Sequence, residues 1–147
     1  MGEIDMASVP ETGRMELAST LESVDTAELR VLAAAQALGM NEDDQHQLGI
    51  AVREAMVNAV VHGNKYSAHK RVGLTIESRA GEIAITVEDE GEGLDLNTLP
   101  DPLAEENLLK PSGRGLLIIR AFVEEVQIEP RVPQGTLVKL VKRWPAN

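Results

Sequence analysis

The sequence has no cysteine, few basic residues and no long apolar run, and each lack excludes a class of function. Without cysteine, its 147 residues offer no disulfide framework, no thiolate zinc site and no cysteine nucleophile. Fourteen lysines and arginines face 24 aspartates and glutamates, and the formal net charge of −10 disfavours non-specific binding to nucleic acid or anionic membranes. The longest apolar stretches, Val31–Ala35 and Leu116–Ile119, are far too short to span a bilayer.

The amino terminus, Met1-Gly2-Glu3, is acidic where a signal peptide is basic. We therefore expect a cytoplasmic protein with neither a direct nucleic-acid partner nor a membrane partner. The three histidines are too scattered along the chain to suggest a metal cage. The length and a hydrophobic content of 43% fit one globular domain with a substantial core.

The spacing of apolar residues divides the chain into a tail and one α+β domain. Residues 1–12 show no periodicity, which predicts a flexible tail before a domain over residues 13–147. The predicted elements, in chain order, are a strand at Arg14–Thr20, a helix from a cap at Asp25 or Thr26 to Gly39, a longer helix from Asn41 to about His62, two hairpin strands on either side of Ala80-Gly81, a helix at Gly115–Glu125, and strands near Val126–Glu129 and Thr136–Val141. This order is typical of an α+β layered sandwich.

A long segment rich in glycine and proline, from Glu90 to Ser112, interrupts the pattern. A loop of this length in a compact domain is usually functional or mobile. Its acidic residues do not form an EF-hand loop, because Pro100 stands where a turn counted from Asp95 needs glycine. The segment is therefore a candidate for a functional loop.

The second helix carries an acid and an amide in an otherwise apolar stretch. Glu54 and Asn58 are four residues apart, so their side chains lie one above the other on the same side of the helix. Taken alone, such a pair is most simply interpreted as a solvated polar stripe. The functional interpretation is a carboxylate base beside an oxygen ligand for a hard cation such as Mg²⁺. The spacing leaves both interpretations open.

An acidic motif that contains glycine, Asp89-Glu90-Gly91-Glu92-Gly93, stands where the Ile83–Val87 strand ends. Asp89 continues the alternation of that strand, which points its side chain inward or toward the mouth of a pocket. Gly91 and Gly93 permit a close backbone approach or a positive φ. The alternative is an acidic hairpin exit in which Asp89 caps a turn.

Two further glycine motifs lie at the start of predicted elements. In Ser112-Gly113-Arg114-Gly115-Leu116 the glycines stand at a helix N-terminus, where exposed amides and the helix dipole form a site for anions. A plain helix entry with Ser112 as its cap is the alternative. The motif matches neither a Walker nor a Rossmann pattern. Gly135-Thr136 begins the last strand, and a tight turn is an adequate explanation of it.

Taken in order, these motifs resemble the Bergerat-type ATP site of the GHKL ATPases, which include gyrase, chaperone and histidine-kinase ATPase domains. The resemblance covers about residues 14–143 and rests on Glu54-x-x-x-Asn58-Ala59 with His62-Gly63, Asp89-x-Gly91-x-Gly93, Gly113-x-Gly115-Leu116 and Gly135-Thr136. The long acidic segment that begins at Glu90 corresponds to the lid of this ATP site. The small size of the chain, this lid and the Lys110–Gly115 run are most similar to the anti-sigma factor serine/threonine protein kinases. The resemblance implies a two-layer α/β sandwich with a mixed, mostly antiparallel sheet and helices on one face.

The resemblance also implies a role for each site residue. Glu54 is expected to be the general base for the acceptor hydroxyl. Asn58 is expected to be the ligand of a Mg²⁺ ion that bridges the ATP phosphates. Asp89 is expected to accept a hydrogen bond from the adenine amino group, in space provided by Gly91 and Gly93.

The remaining cofactor-binding residues implied by the resemblance belong to the lid and the last strand. Those expected to cradle the phosphates at a helix N-terminus are Gly113, Arg114, Gly115 and Leu116. Thr136 is expected to reach the adenine through its hydroxyl, directly or by water. Sporulation-type members of the family have an arginine immediately before the Ser-Gly of the lid, where this chain has Pro111. Lys110 or Arg114 is expected to supply that charge instead.

By this resemblance the chain is an ATP- and Mg²⁺-dependent kinase. It is expected to phosphorylate a serine or threonine of an anti-anti-sigma factor and to hold a sigma factor by another face, as a homodimer. A non-catalytic nucleotide-binding module of the same fold is the main alternative, and a histidine-kinase fragment acting in trans is a third. Retention of Glu54 together with Asn58 favours the enzyme, since a pure binding module could lose the carboxylate.

Overall fold

The computed structural model describes residues 11–92 and 111–145, with side chains from residue 13 and from residue 115 onward. Its elements, in chain order, are β1 (Glu11–Ala18), α1 (Leu21–Ala37), α2 (Glu42–Val57), a π-helical segment (Asn58–Gly63), β2 (Arg71–Arg79), β3 (Glu82–Glu88), α3 (Pro111–Phe122), β4 (Glu125–Pro130) and β5 (Thr136–Arg143). The strands form one sheet in the order β1-β2-β3-β5-β4, and each neighbouring pair is antiparallel. The predicted α+β sandwich with a mostly antiparallel sheet is confirmed, and no parallel pair occurs among these five strands.

One face of the sheet is apolar and carries the helices. Leu74 on β2 stands opposite Val87 on β3, and Ile85 on β3 stands opposite Leu140 on β5, so apolar side chains of neighbouring strands share a face. Buried side chains of α1 and α2 belong to the same core as these residues, among them Val24, Val31, Leu48, Val52 and Met56. The opposite face carries charged side chains joined in ion pairs. The predicted placement of the helices on one face is therefore confirmed.

The first helix begins more than a turn before the predicted caps. Its N-cap is Thr20, whose hydroxyl accepts a hydrogen bond from the amide of Ser23. Asp25 lies inside α1, and its carboxylate pairs with Arg53 of α2 at 2.7 Å. The predicted caps at Asp25 and Thr26 are therefore wrong. Thr20 is the N-cap instead, and Asp25 forms an ion pair with Arg53.

The second helix begins as predicted and changes its winding toward its end. Asn41 is the N-cap, and its Oδ1 accepts a hydrogen bond from the amide of Asp44 at 2.8 Å. Three acids in the first turn suit the positive end of the helix dipole. Over Asn58–Gly63 the chain winds as a π-helix, whose hydrogen bonds reach back five residues, as from Asn64 to the carbonyl of Ala59 at 2.8 Å. The sequence locates the end of the helix but does not reveal this wider turn.

The third helix begins at Pro111 rather than at the predicted Gly115, and it ends at Phe122. Proline suits the first turn of a helix, where its missing amide proton would have no partner. The strands occupy the predicted regions with shifted ends. The boundary predicted before residue 13 stays a prediction, since residues 1–10 lie outside the described part of the chain. Within the two described ranges, each helix falls short of the length and apolarity that a membrane span requires.

A buried lysine ties the helices to one end of the sheet. Lys142 on β5 is only 4% exposed. Its Nζ donates to the carbonyl of Phe122 at 2.9 Å and to Oε1 of Gln47 at 3.0 Å. The carboxylates of Asp44 and Glu124 lie 3.5 and 3.8 Å away. One cation therefore joins the start of α2, the end of α3 and β5.

Candidate functional site

The acid and the amide of the long helix face Gly115, one turn after the start of α3. Glu54 lies in the last turn of α2, Asn58 opens the π-helical segment, and both are half-buried. A Cβ built on Gly115 would lie 3.2 Å from Oε2 of Glu54 and 3.3 Å from Nδ2 of Asn58. The structure thus brings three of the predicted site residues together, and the pair does not form an isolated solvated stripe.

The remaining residues of the α3 motif divide into those that the structure describes and those that it does not. Gly113 and Arg114 lie in the first turn of α3, since the helix begins at Pro111 and not at the predicted Gly115, and the anion site stays a prediction. Leu116, in the next turn, is half-buried and packs against the core, which anchors this end of α3. The side chain of Arg114 lies outside the described residues, as do Gly93 and Lys110 entirely, so the roles predicted for them stay predictions.

Asp89 directly follows β3 and is buried, with 7% of its surface exposed. Its Oδ1 accepts hydrogen bonds from the amides of Gly91 at 2.9 Å and Thr136 at 3.3 Å. Burial raises the pKa of Asp89 above its ordinary value, and these two amides together with the positive charges of Arg131 and Lys70 limit the rise. Among the described residues the hydrogen bonds to this carboxylate all reach Oδ1, which leaves Oδ2 as an acceptor for a ligand.

Three glycines allow the main chain to close around Asp89. A Cβ on Gly63 would lie 2.5 Å from the carboxylate carbon of Asp89. A Cβ on Gly91 would overlap the carbonyl oxygen of Gly63, and one on Gly135 would overlap the carbonyl oxygen of Asp89. Gly135 also has a φ of 113°, which favours glycine. The space left by the missing side chain at Gly91 is therefore filled by the protein's own main chain.

One helical segment links the two clusters. At its start Asn58 lies against Gly115, and at its end Gly63 lies against Asp89. The predicted base and metal ligand thus stand at one end of the segment and the predicted adenine acceptor at the other. Thr136 meets Asp89 with its main chain, since its carbonyl accepts a hydrogen bond from the amide of Asp89 at 2.9 Å. The role predicted for its hydroxyl stays a prediction.

Asn64 lies just after the predicted end of the long helix near His62, and the sequence pattern assigned it no functional role. Its side chain is 1% exposed, and its Oδ1 accepts a hydrogen bond from the amide of Glu90, the residue after Asp89, at 2.8 Å. Asparagine is common at helix ends because it tolerates the backbone geometry there. That local signal gives no indication of a partner 26 residues further along the chain.

Comparison with known families agrees with this architecture. The family model described as the histidine kinase-like ATPase domain matches residues 17–142, a span that includes both clusters. The chain therefore belongs to this family of ATPase domains.

Individual relatives indicate a narrower group within this family. The chain is 30% identical over 132 residues to a protein named anti-sigma F factor from Geobacillus stearothermophilus, an alignment that covers 88% of this chain and 90% of the relative. It is 26% identical over 130 residues to the anti-sigma F factor of Bacillus subtilis (strain 168), covering 87% of this chain and 89% of the relative. The predicted resemblance to GHKL-type ATPase domains and to anti-sigma factors is confirmed.

Proposed function

We propose that the chain binds Mg·ATP and acts as a serine/threonine protein kinase of the anti-sigma type, which phosphorylates an anti-anti-sigma factor and sequesters a sigma factor. The observation that supports this most is the placement of Glu54 and Asn58 directly against Gly115, one turn after the start of α3. A carboxylate, an amide oxygen and a helix N-terminus meet at this point, and phosphoryl transfer uses all three. The ATPase family and the names of the relatives support ATP use and sigma-factor binding.

The cluster around Asp89 fits an adenine base. Its carboxylate is a pure acceptor when ionised, so Oδ2 complements the amino group of adenine and repels the carbonyl oxygen that guanine carries at the same position. The amides of Gly91 and Thr136 fix Oδ1, which orients the other oxygen. In this proposal Thr136 adds a hydroxyl contact to the base, and Gly93 lines the same end of the site.

The cluster around Gly115 fits the phosphates. In this proposal Asn58 holds Mg²⁺, which when bound neutralises charge on the phosphate oxygens. Glu54 takes the proton of the acceptor hydroxyl. The hydroxyl oxygen then bonds to the γ-phosphorus as the bond between the γ-phosphorus and the β-phosphate oxygen breaks. In this proposal the amide of Gly113, in the first turn of α3, is directed at the phosphates, while Arg114, Gly115 and Leu116 follow it at the same end of the helix. Lys110 or Arg114 supplies the positive charge that Pro111 cannot.

The proposal includes a homodimer in the cytoplasm, as the family resemblance implies. Transfer of radiolabelled γ-phosphate tests the kinase activity. The protein is incubated with Mg²⁺, labelled ATP and each anti-anti-sigma candidate encoded near its gene. We expect label on a serine or threonine of one candidate. ATP binding without transfer to any of them would support the non-catalytic binding module, and absence of ATP binding would contradict both functions.

A further inference from the structure

A single buried side chain joins four separate segments beside Asp89. Asn64, at the end of the π-helical segment, donates from Nδ2 to Oγ of Ser19 at 2.9 Å and to the carbonyl of Arg71 at 3.0 Å. Its Oδ1 accepts from the amide of Glu90 at 2.8 Å. The segments it connects are the exits of the π-helix, β1 and β3 and the start of β2.

The position of Asn64 is itself fixed on both sides. The hydroxyl of Ser19 donates to the carbonyl of Lys70 at 2.6 Å, so the partner of Nδ2 cannot turn away freely. The main-chain amide of Asn64 donates to Ala59 at 2.8 Å, and its carbonyl accepts from Ser67 at 3.0 Å. These hydrogen bonds fix the side-chain amide of Asn64, so that its Oδ1 is held in place to accept from the main-chain amide of Glu90.

Glu90 connects this amide to the candidate base-binding carboxylate. Its amide donates to Asn64, and the next amide, that of Gly91, donates to Asp89. Its carbonyl accepts from Nε2 of Gln134 at 2.9 Å. Consecutive amides of one short segment are therefore shared between Asn64 and the carboxylate, so a shift of the first displaces the second.

We propose that Asn64 is a positioning residue for the base end of the nucleotide site, an inference that rests on the proposed function. It holds the Glu90–Gly91 main chain so that Oδ1 of Asp89 stays occupied and Oδ2 faces the base. Its described hydrogen bonds do not reach Glu54, Asn58 or Gly115. Its removal therefore weakens recognition of the base rather than of the phosphates.

Asn64→Ala tests this inference by calorimetric titration with Mg·ATP, Mg·GTP and inorganic tripolyphosphate. Removing Oδ1 leaves the amide of Glu90 without its buried acceptor, so we expect ATP affinity to fall about tenfold and the ATP-to-GTP affinity ratio to fall with it. Tripolyphosphate affinity should change less than about twofold. Ser19→Ala, which removes one brace and leaves Oδ1 in place, should show the same pattern with a smaller loss.

Lys142→Met is the matched control, because it removes buried hydrogen bonds at the opposite end of β5. It should lower the urea midpoint without changing any of the three affinities. A wild-type ATP-to-GTP ratio in both Asn64→Ala and Ser19→Ala would overturn the inference, as would an equal loss for all three ligands. If the wild-type protein binds no ATP, the proposed function itself fails, and that result is visible before any variant is made.

Discussion

Gly91 packs directly on the main chain of Gly63. A Cβ on Gly91 would overlap the carbonyl oxygen and carbonyl carbon of Gly63, and Gly63 in turn leaves no room for a Cβ beside the carboxylate of Asp89. The end of the π-helical segment and the segment after β3 therefore meet backbone to backbone. This contact sets how far Asp89 lies from the helix that carries Glu54 and Asn58.

Gly91→Ala should destabilise the fold and weaken nucleotide binding. The added methyl must push the segment after β3 away from the π-helix, and overpacking of this kind costs about 1–3 kcal/mol in the free energy of unfolding. Gly13→Ala is the control, because a Cβ at Gly13 meets nothing within 4 Å. Urea denaturation should show a loss for Gly91→Ala alone. Equal midpoints for the two variants would mean that the contact is not tight in solution.

Asp89→Asn should lose adenine selectivity. The amide keeps the shape of the carboxylate but directs a donor or an uncharged oxygen at the adenine amino group. Loss of a buried, charge-assisted hydrogen bond costs about 1.5–3 kcal/mol, or about 10–150-fold in affinity. Calorimetry with ATP and GTP measures this. Wild-type ATP affinity in the variant, or equal affinity of the unchanged protein for both nucleotides, would show that the adenine base does not bind at Asp89.

The same substitution should change how stability depends on pH. Burial raises the pKa of Asp89, so the folded protein keeps a proton at a pH where the unfolded chain has released it. The free energy of unfolding therefore falls as the pH rises from the ordinary carboxyl pKa through the raised one. Because an asparagine side chain does not titrate, Asp89→Asn should gain stability relative to the unchanged protein as the pH rises from the ordinary carboxyl pKa, about 4, through the raised pKa of the folded state. Urea midpoints of the two proteins across this pH range check the sign. A stability advantage of Asp89→Asn that shrinks as the pH rises would contradict it.

Glu54→Gln should separate nucleotide binding from phosphoryl transfer. The amide is nearly isosteric, so ATP should still bind, but it cannot take the proton of the acceptor hydroxyl. General-base assistance is worth about 10²–10⁴-fold in rate. Asn58→Ala should instead weaken Mg·ATP binding itself. Transfer at the unchanged rate in Glu54→Gln, measured at saturating ATP, would show that this carboxylate is not the base.

Lys142→Met should lower stability without touching the candidate site. The thioether cannot donate to the carbonyl of Phe122 or to Gln47, and two carboxylates lose their shared cation. Because Asp44 and Glu124 retain 22% and 40% side-chain exposure, we expect a loss of about 1–3 kcal/mol in the free energy of unfolding. Thermal or urea denaturation measures it. An unchanged or higher midpoint would show that the lysine is dispensable for packing.

The features that the sequence predicts well are those with a local physical cause. Alternating apolar residues identify β2 and β3, because each strand has one buried face. Asn41 followed by three acids identifies the start of α2, because capping and dipole effects act within one turn. The four motifs, read in order, also identify the family. Asp89 is found as a candidate because it continues the alternation of β3 into the core.

The features that the sequence does not predict depend on partners far along the chain. Aspartate is a residue type favoured at helix N-caps, but Asp25 lies inside α1 and pairs with Arg53 of α2. The requirement for glycine at Gly63 comes from Asp89, and the burial of Asn64 depends on Ser19 and Glu90. Neither shows in the spacing of nearby residues, since each arises only when the helix is laid against the sheet.

The π-helical winding of Asn58–Gly63 gives the long helix two angular phases. Glu54 and Asn58 follow α-helical geometry, in which each residue advances by about 100°. The wider turn delays the rotation of the residues that follow, and it is Gly63 that arrives opposite Asp89 while His62 stays exposed. One residue more or fewer in this short stretch would turn Gly63 away and present a side chain in its place. The segment therefore acts as a spacer of fixed residue count, which makes its length as constrained as the identity of the residues it separates.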